Sequence, residues 1–226
     1  MKDTKSDSAK ISKIENVTLR TEVADVLRNA IINGLFKPGT PIVEMALAEQ
    51  LDVSRAPVRE AIQLLENEGL IETLAYKGKR VKPLARKDVD ELYSLREVLE
   101  LFAARRIIEA GTDVSELRLH CDAMVEAANA QDLVALNAAD EAFHRAIIRL
   151  SNHDLLLSQW NNVYLRVRQV MALRNSANRD LGAVARNHPP IVDALEGRDL
   201  ARVTELLSQH VRSAADLDLS STEWSQ

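Results

Sequence analysis

The stretch LAEQLDVSRAPVREAIQLLENEGLIE, residues 47–72, decides the fold of the N-terminal part of this chain. It predicts a short amphipathic helix, a tight turn at Asp52 and a second helix that opens at Ser54. Arg55 and Arg59 stand one helical turn apart at the start of that second helix. Guanidinium groups in this position reach base edges in the major groove of DNA. The stretch therefore predicts a reader of duplex DNA.

The second helix of this stretch has one apolar face. Because its inward positions are apolar, Arg55 and Arg59 turn toward solvent at the N-terminal end. Ser54 is predicted to cap the helix. Pro57 is tolerated because it lies in the first turn, where a backbone N–H has no helical partner. The inward positions are Val58, Ala61, Ile62 and Leu65.

Further elements on both sides complete a winged helix. The spacing of apolar residues predicts an earlier helix that ends at Gly34, and turn residues after the recognition helix predict a β-hairpin. Lys77, Lys79 and Arg80 lie at the hairpin tip, where they would reach the DNA backbone or minor groove. The predicted elements are helices over 18–33, 44–51 and 54–67, and strands over 71–75 and 80–83 around a turn at 76–78.

This part of the chain resembles the N-terminal domain of the GntR family of bacterial transcription regulators, from about Leu19 to Leu84. The run that carries the resemblance is L-A-x-x-L-x-V-S-R-x-P-V-R-E-A-I-x-x-L-E-x-x-G-L-I. Met45 departs from it, since some members carry an arginine there. The resemblance implies that the recognition helix and the wing contact an operator. The predicted contact residues are Ser54, Arg55, Pro57, Arg59, Lys77, Gly78, Lys79 and Arg80.

The composition indicates a mainly helical intracellular protein. Of 226 residues, 46% are apolar, but only three are Phe, three Tyr and two Trp. This balance favours helices over sheets. The single cysteine, Cys121, excludes an internal disulfide framework and is typical of a reducing compartment. Because no run is apolar enough for a signal peptide or a membrane span, we expect a soluble, cytoplasmic protein without a membrane partner.

The net charge of −5 is unevenly distributed along the chain. Residues 1–84 hold thirteen basic and twelve acidic side chains, whereas residues 85–226 hold sixteen basic and twenty-two acidic ones. The acidity therefore belongs to the second half. A local run of basic residues between Glu72 and Asp88 is either a solvated face or a surface for phosphates. It comprises Lys77, Lys79, Arg80, Lys82, Arg86 and Lys87.

The second half predicts an all-helical antiparallel bundle of about six helices. Its centre is a natural place for a small-molecule cavity. The predicted helices span 88–110, 114–130, 132–150, 154–175, 180–195 and 199–215, with breaks at Gly111, Gln131, Asn152, Asn178 and Gly197. The predicted domain organisation is a disordered tail over 1–15, the winged helix over 16–84, the bundle over 85–218 and a C-terminal tail over 219–226.

Polar residues interrupt the apolar faces of these helices. Asp140 and His144 lie one turn apart on the inward face of their helix, and His210 interrupts the stripe of the last one. A buried carboxylate is costly unless it is paired or binds a metal. With His188, these residues are either hydrogen-bonded core groups or ligands for zinc, nickel, manganese or iron.

The pattern D-x-x-x-H followed by two later histidines resembles the FCD ligand-binding domain, which defines the FadR subfamily of GntR regulators. The resemblance implies that Asp140, His144, His188 and His210 hold a divalent metal, zinc before nickel, manganese or iron. It also implies that a small carboxylate effector completes the coordination. The run NHPP at 187–190 departs from the family, in which an acidic residue commonly precedes the histidine.

Two arginines are candidates for binding the effector carboxylate. Arg96 shares its face with apolar residues and would point into the bundle, and Arg174 lies at the end of another apolar stripe. Each either clamps a carboxylate or forms a structural salt bridge.

These features favour a dimeric repressor that binds a palindromic operator and is modulated by the effector. A metal-dependent hydrolase with Glu141 as general base is the alternative, although Glu141 is rotated by about 100° from Asp140 on the helix. A constitutive architectural DNA binder is the third hypothesis. The inward Asp and His residues speak against it, since leucines would serve a purely structural bundle better.

Overall fold

The computed structural model describes residues 18–177 and 180–215. The predicted tails at 1–15 and 219–226, and the predicted break at Asn178, lie outside the described residues. The N-terminal part comprises three helices and three short strands. They are α1 (Thr18–Ile32), β1 (Pro41–Ile42), α2 (Glu44–Gln50), α3 (Arg55–Asn67), β2 (Ile71–Leu74) and β3 (Gly78–Val81).

The three N-terminal helices pack around one apolar core, as their spacing predicted. Val58, Ala61, Ile62 and Leu65 of α3 are fully buried in it. Ser54 occupies the predicted N-cap position of α3, but the predicted side-chain capping is wrong, because the Ser54 side chain makes no capping hydrogen bond. Its backbone is extended, with φ −70° and ψ 161°, so the start of α3 is set by backbone geometry.

The wing is a three-stranded antiparallel sheet in the order β1-β3-β2. The hairpin of β2 and β3 was predicted, but β1 was not, because two residues are too short to show an alternating pattern. Pro41 can occupy this edge strand because it needs no N–H there. The third strand adds pairing to a hairpin that is marginal alone.

The C-terminal part is an all-helical bundle of seven helices within the described residues, which confirms the predicted mainly helical class. The predicted helix over 180–195 is wrong, since it is split at His188 into two short helices. Pro189 and Pro190 supply no backbone N–H to continue the first helix, so a new one starts there. The helices are α4 (Arg86–Ala110), α5 (Glu116–Asn129), α6 (Leu133–Leu150), α7 (Asp154–Ala177), α8 (Leu181–Arg186), α9 (Pro189–Glu196) and α10 (Leu200–Ala214).

Left-handed residues end several of these helices. Gly111, Gln131 and Asn152 have φ of 64°, 56° and 50°, in agreement with the predicted breaks. The break predicted at Gly197 is displaced by one residue, because Arg198 takes the left-handed conformation with φ 55°.

Helix α7 joins the bundle to the winged helix. Leu165 packs against the N-terminal core, and the Arg166 side chain lies 3.3 Å from the position that a Cβ on Gly69 would occupy. Arg166 also lies 3.6 Å from a carboxylate oxygen of Asp88 in α4. The end of the recognition helix therefore contacts the bundle directly.

Among the helices of residues 18–177 and 180–215, none combines the length and the apolar character needed to cross a membrane.

Candidate metal centre and nucleic-acid interface

Four potential metal ligands meet inside the bundle. Asp140 and His144 come from α6, His188 lies at the start of α9, and His210 comes from α10. One ligand atom from each lies within 4.8 Å of the others. Asp140, His144 and His188 are buried, and His210 is half-buried. The structure thus brings together the four residues that the sequence singled out.

Hydrogen bonds fix which nitrogen of two histidines carries the proton. Nδ1 of His144 lies 2.8 Å from a Glu100 carboxylate oxygen, and Nδ1 of His188 lies 2.9 Å from the carbonyl oxygen of Val184. A backbone carbonyl oxygen can only accept, and so can the oxygen of an ionised carboxylate, so each Nδ1 donates. In the neutral form of either ring, Nε2 therefore presents a lone pair to the centre of the cluster.

These lone pairs face the carboxylate of Asp140 and the ring of His210. Nε2 of His188 lies 3.1 Å from one Asp140 oxygen, and Nε2 of His144 lies 3.9 Å from the other. Nε2 of His144 also lies 3.1 Å from Nε2 of His210. His188 Nε2 is buried without a hydrogen-bond partner. Facing acceptors are stabilised by a cation between them, and this carboxylate and imidazole set fits a divalent metal ion.

The surroundings of His144 and His210 favour the neutral imidazole, which is the form that binds metals. Burial lowers the pKa of His144, and the nearby Arg96 guanidinium lowers it further. Burial also lowers the pKa of His210 to well below its usual range, with His188 and His144 adding to the effect. A proton therefore competes weakly with a metal at these positions.

Glu100 contacts the ligand cluster, and sequence reasoning did not single it out. Its carboxylate accepts hydrogen bonds from His144 and from Nε of Arg96, the latter at 2.6 Å, and all three side chains are buried. Although burial opposes ionisation, Arg96 and His144 hold the pKa of Glu100 at about 2. The i,i+4 spacing of Arg96 and Glu100 on a buried face was a signal that could have revealed the pair.

The two candidate effector arginines line the same small cavity, together with Asp140 and His210. Arg96 forms a salt bridge with Glu100, which was the structural alternative that the sequence left open. One of its terminal nitrogens nevertheless has no hydrogen-bond partner. Arg174 is half-buried at the cavity wall. The cavity therefore offers guanidinium groups beside the ligand cluster.

A tyrosine that the sequence did not single out also contacts the cluster. The Tyr164 hydroxyl lies 3.4 Å from an Asp140 oxygen, and its ring stacks on Trp160 with centroids 4.0 Å apart. Tyr164 immediately precedes Leu165, the residue of α7 that packs on the N-terminal core. A displacement of Asp140 would therefore act on Tyr164, whose neighbour in sequence contacts the winged helix.

Glu141 lies outside the cluster. Its two oxygens are 3.0 Å from an Arg145 nitrogen and 2.9 Å from Nε of Arg168. Both oxygens of this carboxylate are thus held in ion pairs away from the ligand cluster, where a general base would have to reach a metal-bound water. The geometry gives no support to the hydrolase alternative.

The predicted recognition helix exposes both of its arginines. The side chains of Arg55 and Arg59 are 60% and 63% exposed, and both lie near Glu44 of α2, at 4.0 and 3.1 Å. Exposed ion pairs of this kind contribute little, so DNA phosphates and bases can replace the carboxylate. Ser54 is exposed at the same end, and Pro57 is half-buried.

The basic groups of the wing are paired unequally. Nζ of Lys79 lies 2.5 Å from Glu66, and Nε of Arg80 lies 2.8 Å from Glu72. Lys77 is exposed at the tip, next to Gly78 with φ 83°. The wing therefore presents Lys77 most directly to a nucleic acid, whereas Lys79 and Arg80 must exchange an acidic partner for it.

Family models match both halves of the chain. The model described as bacterial regulatory proteins, gntR family, matches residues 19–81, and the FCD domain matches residues 91–213.

Similar proteins include named repressors. The chain is 34% identical, over 88% of each chain, to a protein named probable D-xylose utilization operon transcriptional repressor from Paenarthrobacter nicotinovorans. It is 31% identical to the gluconate operon transcriptional repressor of Bacillus licheniformis, over 83% of this chain and 80% of the relative.

Solved structures show the same architecture. A crystal structure described as a transcriptional regulator GntR from Rhodococcus sp. RHA1 matches with TM-score 0.76 and 31% identity, over 87% of this chain and 95% of that one. The E. coli protein McbR/YncC matches with TM-score 0.74 and 25% identity, over 88% and 95%.

Proposed function

The chain belongs to the GntR family of bacterial regulatory proteins and carries an FCD domain, and from this premise we propose a specific mechanism of repression. Like its named relatives, which are transcriptional repressors, the protein is a regulator of transcription and not an enzyme. In the proposed mechanism a homodimer binds a palindromic operator. A small carboxylate, bound at a metal in the helical bundle, changes the affinity of the dimer for that operator.

The metal is proposed on one observation above all: the facing lone pairs of Asp140, His144 and His188 in a buried site. With His210 they supply four ligands to a divalent ion, zinc before nickel, manganese or iron. Once bound, the metal would offer its remaining coordination positions to an oxygen of the effector. Protein side chains, and not the metal, would supply the remaining contacts with the effector and the coupling to the DNA-binding part.

The carboxylate is proposed because guanidinium groups stand beside the ligands. Arg96 keeps one nitrogen without a partner, and Arg174 lines the same cavity. Guanidinium groups bind carboxylates with paired, charge-assisted hydrogen bonds. One relative is named for a gluconate operon, and gluconate carries a carboxylate.

Two elements can carry the response to the DNA-binding part. Helix α4 begins five residues after β3 and holds Arg96 and Glu100 against the ligands. Helix α7 carries Tyr164 beside Asp140 and Leu165 on the N-terminal core. An effector alters DNA affinity only if it binds the two states of these helices unequally.

Substitution of Arg59 by alanine tests the operator contact. We expect binding to an operator, selected from a random pool of duplexes, to weaken by about 1–3 kcal/mol because a base or phosphate contact is lost. A mobility-shift titration at fixed salt measures the change, and circular dichroism checks that the fold is kept.

Arg202→Ala is the matched control, since Arg202 is an exposed arginine of α10 with one acidic partner, Glu205. Operator binding of this variant should stay at the wild-type level. Equal binding by Arg59→Ala and wild type would remove α3 from the operator interface.

Glu100→Gln tests the support of the proposed metal ligand. The amide keeps the shape but removes the negative charge that orients His144 and strengthens it as a ligand. Substitutions of such supporting groups typically weaken metal binding by about 10- to 100-fold. Competition with a fluorescent zinc chelator measures the affinity. An affinity equal to that of the wild type would show that Glu100 serves only the ion pair with Arg96.

A further inference from the structure

The outer face of α4 is apolar where a monomer would be expected to be polar. Leu95, Val98 and Phe102 are 46%, 62% and 43% exposed. They lie on the side opposite Arg96 and Glu100, which are buried against the ligand cluster. Apolar side chains grouped on an exposed helix face commonly mark an interaction surface.

The spacing along this face is that of a helix seam. The exposed positions follow one another at alternating intervals of four and three residues from Glu91 to Glu109. This alternation keeps side chains in one narrow line along two paired helices, as in a coiled coil. The line consists of Glu91, Leu95, Val98, Phe102, Arg105 and Glu109. We call it the α4 seam.

The charges of the α4 seam are self-complementary in one orientation only. Glu91 and Arg105 lie seven residues before and after Val98, and Lys87 and Glu109 lie eleven residues before and after it. In an antiparallel pair centred on Val98, Glu91 meets Arg105 of the partner subunit. A parallel pair would instead place Glu91 against Glu91 of the partner subunit. Like charges in contact are destabilising.

We infer that α4 pairs antiparallel with α4 of a second copy of this chain, with the two Val98 side chains at the two-fold axis. An isologous contact of this kind uses the same patch on both subunits. The inference rests on the proposed dimer and specifies its interface. It places the subunit contact on the helix whose opposite face holds Arg96 and Glu100 beside the ligand cluster, and this helix begins five residues after the last strand of the DNA-binding part.

Disulfide trapping of Val98→Cys tests the position of the axis. Two cysteines at the axis can approach within the 4.4–6.8 Å between Cα atoms that a disulfide allows. The native cysteine, Cys121, is buried and should not interfere. We expect mild oxidation to convert most of the variant to a covalent dimer on a non-reducing gel.

Leu119→Cys provides the control, because Leu119 is 68% exposed on α5, away from the α4 seam. It should remain largely uncrosslinked under the same oxidation. Equal crosslinking of the two variants would overturn the inference.

Charge reversal tests the orientation. Glu91→Arg and Arg105→Glu each turn two attractive contacts of the dimer into repulsive ones, and we expect each to weaken dimerisation by about tenfold. The double variant should restore the wild-type dissociation constant in sedimentation at low salt. A double variant weaker than both single variants would overturn the antiparallel register.

Sedimentation of the wild type separates this inference from the proposed function. A wild-type dimer in which Val98→Cys fails to crosslink leaves the dimeric regulator intact and removes α4 as its interface. A wild type that stays monomeric at concentrations that saturate the operator removes both the interface and the proposed dimer.

Discussion

Replacement of His144 by alanine is expected to abolish stoichiometric metal binding. His144 lies at the centre of the cluster, since its Nε2 is 3.1 Å from His210 and 3.9 Å from Asp140. Its loss removes one ligand outright, which costs more than the 10- to 100-fold typical of a supporting residue, so we expect an affinity loss above about 100-fold. Elemental analysis of purified protein and a zinc titration measure the effect.

His120→Ala is the control for this experiment, because His120 is a half-buried histidine of α5 outside the cluster. Its metal content should equal that of the wild type. His144→Ala leaves the Glu100 carboxylate with one partner fewer, so the fold must be checked by circular dichroism. His210→Asn removes a half-buried ligand instead and should lose metal as well. Full metal occupancy in both variants would refute the four-ligand site.

The same two variants separate the metal site from the DNA-binding surface. Arg59 lies in the winged helix, whereas all four ligands lie in the bundle. We therefore expect the metal-free variants to keep sequence-specific operator binding while they lose any change caused by added zinc. This outcome assigns the bundle a regulatory role and the winged helix the contact with DNA.

The cluster could be predicted because its residues violate the pattern of their helices. Asp140 and His144 stand on an otherwise apolar face, so helical periodicity alone placed them in the core. Their convergence with His188 and His210 was not contained in any single helix. The resemblance to the FCD domain supplied it, and the packing of α6, α9 and α10 reproduces it.

The surroundings of the cluster were not predicted, for physical reasons. Glu100 and Tyr164 belong to helices distant in sequence, and their roles depend on packing that periodicity does not encode. Likewise Glu44 lies beside Arg59 only because α2 crosses α3. The split at His188 was not predicted, because proline is tolerated in a first helical turn and Pro189 and Pro190 begin a helix of their own.

Glu100→Leu is expected to destabilise the bundle by about 3–5 kcal/mol in the absence of metal. The carboxylate is the partner of Arg96, whose guanidinium is buried with Nε 2.6 Å from it. Without Glu100 this positive charge keeps the faces of Tyr93 and Tyr164, each 5.6 Å from the guanidinium carbon, and a weak contact with the Met171 sulfur at 3.9 Å. Urea denaturation followed by circular dichroism, with a chelator present, measures the free energy of unfolding.

The double variant Arg96→Met with Glu100→Leu separates the value of the ion pair from the cost of breaking it. A pair of apolar side chains removes both charges together, and such replacements of buried ion pairs are often neutral or stabilising. We therefore expect the double variant to recover most of the stability that Glu100→Leu loses. It should also bind metal more weakly, because His144 no longer donates to a carboxylate. A double variant as unstable as Glu100→Leu would show that the pair itself stabilises the bundle. Recovery of stability with loss of metal affinity would show instead that the charges serve the site.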